Sequence, residues 1–394
     1  MFEVLLSWTQ LPNLHPAVVH FPIAILPVAL LFDFAGLVWT RQQWLQRGAV
    51  TLYVLAATSA YIAKKAGERA ADSLVDVAPA VQPHIGDHSD WAHYATWAIL
   101  TTAVLRLLVE YLAHRREPSR LINAGATTVG LVAFGLLVYA ADLGGGLVYR
   151  HGLGVAISSS GQAGADGEGA EPGRHDAAHP GEDGAPGEVA ATRLEVDAGG
   201  VLTWRPVATP GASSAADAVL GSVLQAPTGA TLGALSVVPA TEGPTPPGRG
   251  VRLAVEGRAV GLFETEFDDV QIDATLRVAD FRGTVALLHH FQQEADMRLL
   301  ELVGSSADGW QLRLSRQRGG EIEVLDESPL EIGADGAPVR IALSASGSHL
   351  KGMLSGRTLV HGHEEAGSPG RVGLVFDGRG ELTIEEIVVT PIGR

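Results

Sequence analysis

The chain has 394 residues, 46% hydrophobic and only 18% charged, against roughly a quarter charged in a soluble globular protein. Its net charge of −16 falls entirely after residue 156: ten acidic and ten basic residues balance before that point, while 34 acidic and 18 basic residues lie beyond it. Such acidity excludes a sequence-independent grip on nucleic acid, which needs cations to displace phosphate counterions, and 0 Cys excludes disulfides, thiolate zinc sites, iron–sulfur clusters and covalently attached c-type haem.

Four apolar segments open the chain, at 18–39, 48–66, 91–112 and 121–141, each close to the ~20 residues that a spanning helix needs. Residues 1–156 therefore read as a four-helix membrane domain. The first 17 residues lack a basic n-region and a cleavage pattern, so the first helix serves as its own targeting signal. Arg41 and Arg47 lie between helices one and two, and Arg115, Arg116 and Arg120 between helices three and four. Basic loops face the cytoplasm, which gives an N-out, C-out protein of a bacterial inner membrane, with everything after the fourth helix in the periplasm.

Charges inside the spans follow from depth. Asp33 lies 13 residues beyond His20, and Arg106 lies 13 beyond His93, so at ~1.5 Å per residue each sits about 20 Å inward of its histidine. Asp33 and Arg106 can pair within the bilayer, with Glu110 one turn from Arg106 as a further partner. The pair is either part of a proton relay or a structural ion pair near the cytoplasmic side.

His15, His20, His84, His88, His93 and His151 all fall on the outer side. Imidazole is the commonest neutral ligand of metals and haem. His20 and His93 match best in depth, so they are the candidate axial pair for haem b or a metal, with His15, His88 or His151 assisting. Each histidine could instead cap a helix or bond a loop carbonyl. Pro22 and Pro27 would kink the first helix and open space beside His20. Gly125, Gly130 and Gly135 permit close approach in the fourth.

The runs LHPAVVHFPIAILP (14–27) and LGGGLVYRHGLGV (143–155) resemble two signature segments of the bacterial four-helix membrane family known as domain of unknown function 2231. The likeness covers about residues 11–156, through His15, Pro16, His20, Phe21, Pro22, Gly145, Tyr149, Arg150, His151 and Gly152. It implies no enzyme activity. It implies an electron-transfer setting, since such domains share chains with cytochrome-type modules. Gly146 stands where the family often has Glu, so this chain offers no carboxylate ligand there.

Residues 157–192 are Gly-, Asp- and Glu-rich with almost nothing large and apolar, and read as a disordered tether; His175, Asp176 and His179 within it are linker residues. From 193 the period changes to two. Val270, Ile272, Ala274, Leu276 and Val278 alternate with polar residues, the pattern of a strand with one buried face. Similar runs recur at 283–288, 298–303, 311–315, 321–325, 339–344, 350–354, 372–376 and 382–389, with turn signals such as Phe376-Asp377-Gly378 between them. Residues 193–394 thus form an antiparallel β-sandwich. The order FDDVQIDATLRVADFRGTVALLHHF, SGSHLKGMLSGRTLVHGH, GRVGLVFDG resembles the concanavalin A-like jelly roll, which laminin G-like and keto-disaccharide hydrolase modules share.

Glycosidase chemistry on that fold needs two carboxylates side by side on one strand face. Glu264, Glu266, Asp268 and Asp269 come closest and read as a polar rim. His289 and His290 point to opposite faces of a regular strand. His361 and His363 share a face and, with Glu365, form the metal candidate of this half. The expected function is that of a non-catalytic accessory subunit. Its helices pack on other membrane subunits, and its acidic jelly roll docks on a protein partner outside, within a respiratory or photosynthetic assembly such as a reaction centre or cytochrome complex. The alternatives are a redox protein carrying haem b or a metal and a membrane-anchored glycan-binding module, the latter opposed by a scarcity of aromatics after residue 193.

Overall fold

The computed structural model describes residues 14–113, 120–153, 193–206, 220–238 and 250–393, apart from 222, 228, 229, 294, 333–335, 366 and 367. The targeting reading of the first residues, Arg115, Arg116 and the tether at 157–192 with its two histidines lie outside the described residues.

The first half is a bundle of four long helices: α1 (His20–Val38), preceded by the turn His15–Val18, α2 (Gln43–Asp72), α3 (Gln82–Ala113) and α4 (Arg120–Tyr149). Three segments, His15–Val38, Pro79–Ala113 and Arg120–Tyr149, are long and apolar enough to cross a membrane. α2 is as long but less apolar. Its buried face is Ala49, Ala56, Ala57, Ala60 and Ala63 around Tyr53, and small side chains pack closely without adding much hydropathy. Of the four helices expected, all four form, and three of them have the length and hydropathy to cross a membrane.

Pro22 falls in the first turn of α1, where no backbone N–H is required, and α1 continues through Pro27. The space expected beside His20 does not form on the bundle interior, because His20 is exposed. In α4 a Cβ at Gly130 would lie 2.6 Å from the Tyr53 hydroxyl, whereas Gly125 and Gly135 have nothing within 4 Å; only Gly130 is required by packing.

α1 and α3 each pack on α2 and α4, so they face one another across the diagonal. Exposed aromatics ring the bundle at two levels: Phe21, Tyr61, Tyr94, Trp97 and Tyr139 at one end, Trp39, Trp44 and Tyr111 at the other. Tyr94 and Tyr111 are 17 residues apart on α3, about 26 Å at ~1.5 Å per residue, close to the ~30 Å of a hydrocarbon core. Aromatic rims at that separation match the spacing of two membrane–water interfaces.

The second half is an antiparallel β-sandwich: β1 (Arg193–Val196), β2 (Leu202–Arg205), β3 (Leu235–Val238), β4 (Val251–Phe267), β5 (Val270–Gln293), β6 (Asp296–Ser305), β7 (Gly309–Arg318), β8 (Glu321–Leu330), β9 (Val339–Ser346), β10 (His349–Leu354), β11 (Arg357–His363) and β12 (Gly370–Pro391). The long strands β5 and β12 pass through both layers. One end of β5 pairs with β9 and the other with β6. One end of β12 takes β2 as neighbour, and β4 runs along the rest. One layer is therefore β1, β2, β12, β5, β9, β10 and β11, and the other is β3, β4, β12, β5, β6, β7 and β8.

The strands change layer at a row of glycines in register: Gly257 opposite Gly378, Gly378 opposite Gly283, Gly283 opposite Gly304. A Cβ on Gly283 (φ 140°) would meet the Asp377 carbonyl at 2.3 Å. That proximity explains why 270–278 and 283–288, read as two strands, are one, as are 372–376 and 382–389. The turn signal at Phe376-Asp377-Gly378 is a bend inside a strand. Trp204, Phe263, Phe281 and Phe376 fill the space between the layers, and Val260, Leu262, Leu288 and Leu299 belong to a smaller cluster on the other face of the second layer.

Candidate functional site

The outer histidines meet in pairs other than the one that depth alone suggested. His15 and His88 lie edge to face with centroids 6.3 Å apart, and His84 stacks on His151 at 4.7 Å. His20 is exposed on α1, and His93 is exposed on α3 against Tyr94 and Trp97. The structure therefore does not bring His20 and His93 together as an axial pair, and His151 is occupied with His84. Helix periodicity gives the reason. Asp33 and Arg106 point into the bundle, and a residue 13 positions away lies about 220° round an α-helix, on another face. His15 and His88 are each 18 positions from those charges, five full turns, and so share their inward face.

Both inward rings are anchored. Nδ1 of His15 lies 3.0 Å from the Ala63 carbonyl and Nδ1 of His88 lies 3.0 Å from the Ala140 carbonyl. Gly67 and Gly144 make room for them: a Cβ on either would come within 3.0 Å of the imidazole. Gly144, inside the second signature segment, is thus shaped by His88, while Gly145 and Gly146 border open space.

At the other end of the diagonal, Arg106 is bonded to Asp33, the two side chains being only 4% and 2% exposed. The Tyr53 hydroxyl donates to Asp33 at 3.2 Å, and Arg106 donates to Thr127 at 2.6 Å and to the Asn123 carbonyl at 3.2 Å. Glu110 lies one turn from Arg106 on α3. It pairs at 3.3 Å with Arg47 of α2, because residue 110 is one turn further toward the exposed end.

The two halves meet over the ends of α2 and α3. Asp76 N–H donates to the Gly356 carbonyl at 3.0 Å, its carboxylate takes Arg340 at 3.1 Å, and Val75 bridges Arg357. Between them lies a cavity of about 330 Å³. Its roof is a polar grid on three strands: Ser346, His349 and His363 in one row, Ser344, Lys351 and His361 in the next. Alternate residues Ala345, Leu350 and Val360 turn into the core. Its floor is Lys64, Glu68 and Asp72 of α2 and Gln82, Asp90, His93 and Tyr94 of α3.

Contacts across the cavity are specific. His349 Nε2 lies 3.1 Å from Asp90, and Lys351 donates to Gln82 at 3.1 Å. Burial holds His349 and His363 below the ordinary imidazole range, and holds Lys351 below the ordinary ammonium range although Asp72 opposes it. Burial likewise raises Asp72, against the pull of His361 and Lys351. Lys64 and Lys65 both close on Glu68.

His361 and His363 do share a face, with centroids 5.8 Å apart. Glu365 does not join them: it is exposed past the end of β11, and its charge is felt at Arg316. Among the described residues no three His, Asp or Glu side chains are grouped to hold one metal ion, so the trio His361, His363 and Glu365 is not an assembled metal centre. The residues the sequence reading passed over are His349 and Lys351, which the same two-residue period puts on one face of β10; which strand lies beside β10 is not written locally.

His289 and His290 also depart from expectation. A bulge with His290 at φ 49° swings the rings together, with their Nδ1 atoms 2.7 Å apart, and His290 Nε2 meets the Asp268 carbonyl. Asp269 is buried, accepting from Gly347 N–H at 2.8 Å, and so is set apart from the exposed Glu264, Glu266 and Asp268.

Residues 11–157 match the family model described as Predicted membrane protein (DUF2231). No curated protein matches the chain. The sandwich is similar to solved jelly rolls. The carbohydrate binding module CBM66 from Bacillus subtilis is 16% identical, with 40% of this chain and 95% of that one covered and a TM-score of 0.31. A Bacillus licheniformis beta-glucanase is 9% identical, covering 49% and 99%, with a TM-score of 0.34. The VIP36 exoplasmic/lumenal domain, in a Ca2+/Man3GlcNAc-bound form, is 9% identical, covering 42% and 86%, with a TM-score of 0.32.

Proposed function

We propose that this protein is a non-catalytic membrane component whose sandwich docks a basic protein partner on the side of the membrane that it occupies, the periplasm of a bacterial inner membrane. The observation that carries this reading is the edge of the second layer. β8 is bonded to β7 on one side and ends the sheet, and it exposes Ile322 (59%) and Val324 (44%) among Glu321, Glu323 and Glu327. Exposed apolar residues on a sheet edge invite a further strand; Glu323 is paired with Arg316 at 2.7 Å, and Glu321 and Glu327 beside it select a cationic strand and steer its approach. Membrane complexes with extracytoplasmic redox subunits are the natural host.

The test is gentle solubilisation of the native membrane, with co-purifying subunits identified and a visible spectrum taken. A stoichiometric partner that is lost with Ile322→Asp/Val324→Asp and weakened by 0.5 M salt is the expected result. A partner indifferent to both changes, or a haem spectrum that disappears with His88→Ala, would replace this reading with another.

A further inference from the structure

The seam cavity sits at a height that the aromatic rim defines. Tyr94 lines it, and Trp97 and Tyr61, both exposed, mark the membrane–water interface just below. Its floor therefore lies at head-group level in the leaflet on the sandwich side, while its roof, the β9–β10–β11 grid, stands in water. The faces of α2 and α3 beneath it expose Ile62 and Trp97, an apolar surface suited to acyl chains.

The charge inside is of both signs. Glu68 is matched within the protein by Lys64 and Lys65, while Asp90 is held by a hydrogen bond with His349. Lys351 and Asp72 are not closed into an ion pair: Lys351 donates to the neutral amide of Gln82, and the half-buried Asp72 makes no hydrogen bond among the described residues, although the charges of His361 and Lys351 reach it. One cation and one anion thus face the same 330 Å³ space, a volume within the range of small-ligand pockets.

We propose that this cavity binds the zwitterionic head group of a phospholipid, its phosphate against Lys351 with His361 and His363, and its primary ammonium against Asp72. A wholly anionic head group would set its charge against Asp72 and Asp90. A quaternary ammonium cannot donate a hydrogen bond to a carboxylate, so it forgoes the charge-assisted bond that strengthens such a contact. The buried state of Lys351 and Asp72 fits groups that await a partner, since each charged form is penalised until one arrives.

The full chain in nanodiscs of mixed phosphatidylethanolamine, phosphatidylcholine and phosphatidylglycerol, stripped by detergent and analysed by native mass spectrometry, tests this. Phosphatidylethanolamine should be retained about tenfold over either competitor, a preference of ~1.4 kcal/mol. Lys351→Gln and Asp72→Asn should each bring its retention to the phosphatidylcholine level with the melting temperature unchanged, and Lys65→Gln should have no effect. Equal retention of the three lipids would overturn the proposal, as would retention indifferent to both cavity variants. Soluble glycerophosphoethanolamine bound with no lipid retained would overturn the lipid assignment in favour of a free metabolite.

Discussion

Asp33 and Arg106 are the most exposed to test at the scale of single residues, because each is almost wholly buried and each depends on the other. Removing one member of a buried pair leaves an uncompensated charge and costs about 3–5 kcal/mol, whereas replacing both by apolar groups of similar volume is close to neutral. Asp33→Leu or Arg106→Met should therefore lower the melting temperature in detergent sharply, and the double variant should recover most of the loss. Equal losses for single and double variants would mean that Tyr53, Asn123 and Thr127, not the pair, hold the network. The acid and base were readable as charges inside apolar runs. Tyr53, Asn123 and Thr127 were not, since an uncharged polar residue in a span has many possible neighbours.

The bulge at His289 and His290 belongs to the element. Burial holds both imidazoles below their ordinary range, His289 well below it and fully enclosed. The unfolded chain binds protons that the folded sandwich refuses, so this contribution is complete above the unfolded imidazole value near 6.5 and declines as the pH falls below it, by roughly 1.4 kcal/mol per pH unit for each proton. Thermal unfolding followed through the β-sheet circular dichroism signal should show destabilisation from pH 7 to 5, and His289→Phe should flatten that slope. An unchanged slope would show that other groups set the acid limit. A strand pattern of period two places His289 and His290 on opposite faces; the left-handed φ of His290 reverses that, and a single backbone angle leaves no mark in the alternation. The same blindness affected the glycine row, where bends within β5 and β12 read as turns because glycine serves both.

The two halves are joined into one body by the seam, and that arrangement is open to a direct chemical test. The chain contains 0 Cys, so Val75→Cys/Arg357→Cys would introduce the only two thiols, at positions that bridge one another with the spacing a disulfide accepts. Mild oxidation should close the bond in the full chain and compact it on a non-reducing gel. Failure to close would mean that the sandwich does not rest on α2 and α3, and the seam cavity would go with it.

Local chemistry sufficed for the broad plan. Apolar runs of spanning length, the switch from a helical period to a period of two, and the step in charge after residue 156 each depend only on a residue and its near neighbours along the chain, and each gave a helical half and a β half. The same period placed His361 and His363 on one face. What the tertiary structure alone decided is which faces meet: that His15 pairs with His88 instead of His20 with His93, that Glu110 turns to Arg47, and that β10 and β11 carry their imidazoles and Lys351 over Asp72 and Asp90. Those outcomes depend on helix rotation about its axis and on strand register, which are settled by packing between segments as much as 269 residues apart and so have no short-range signature.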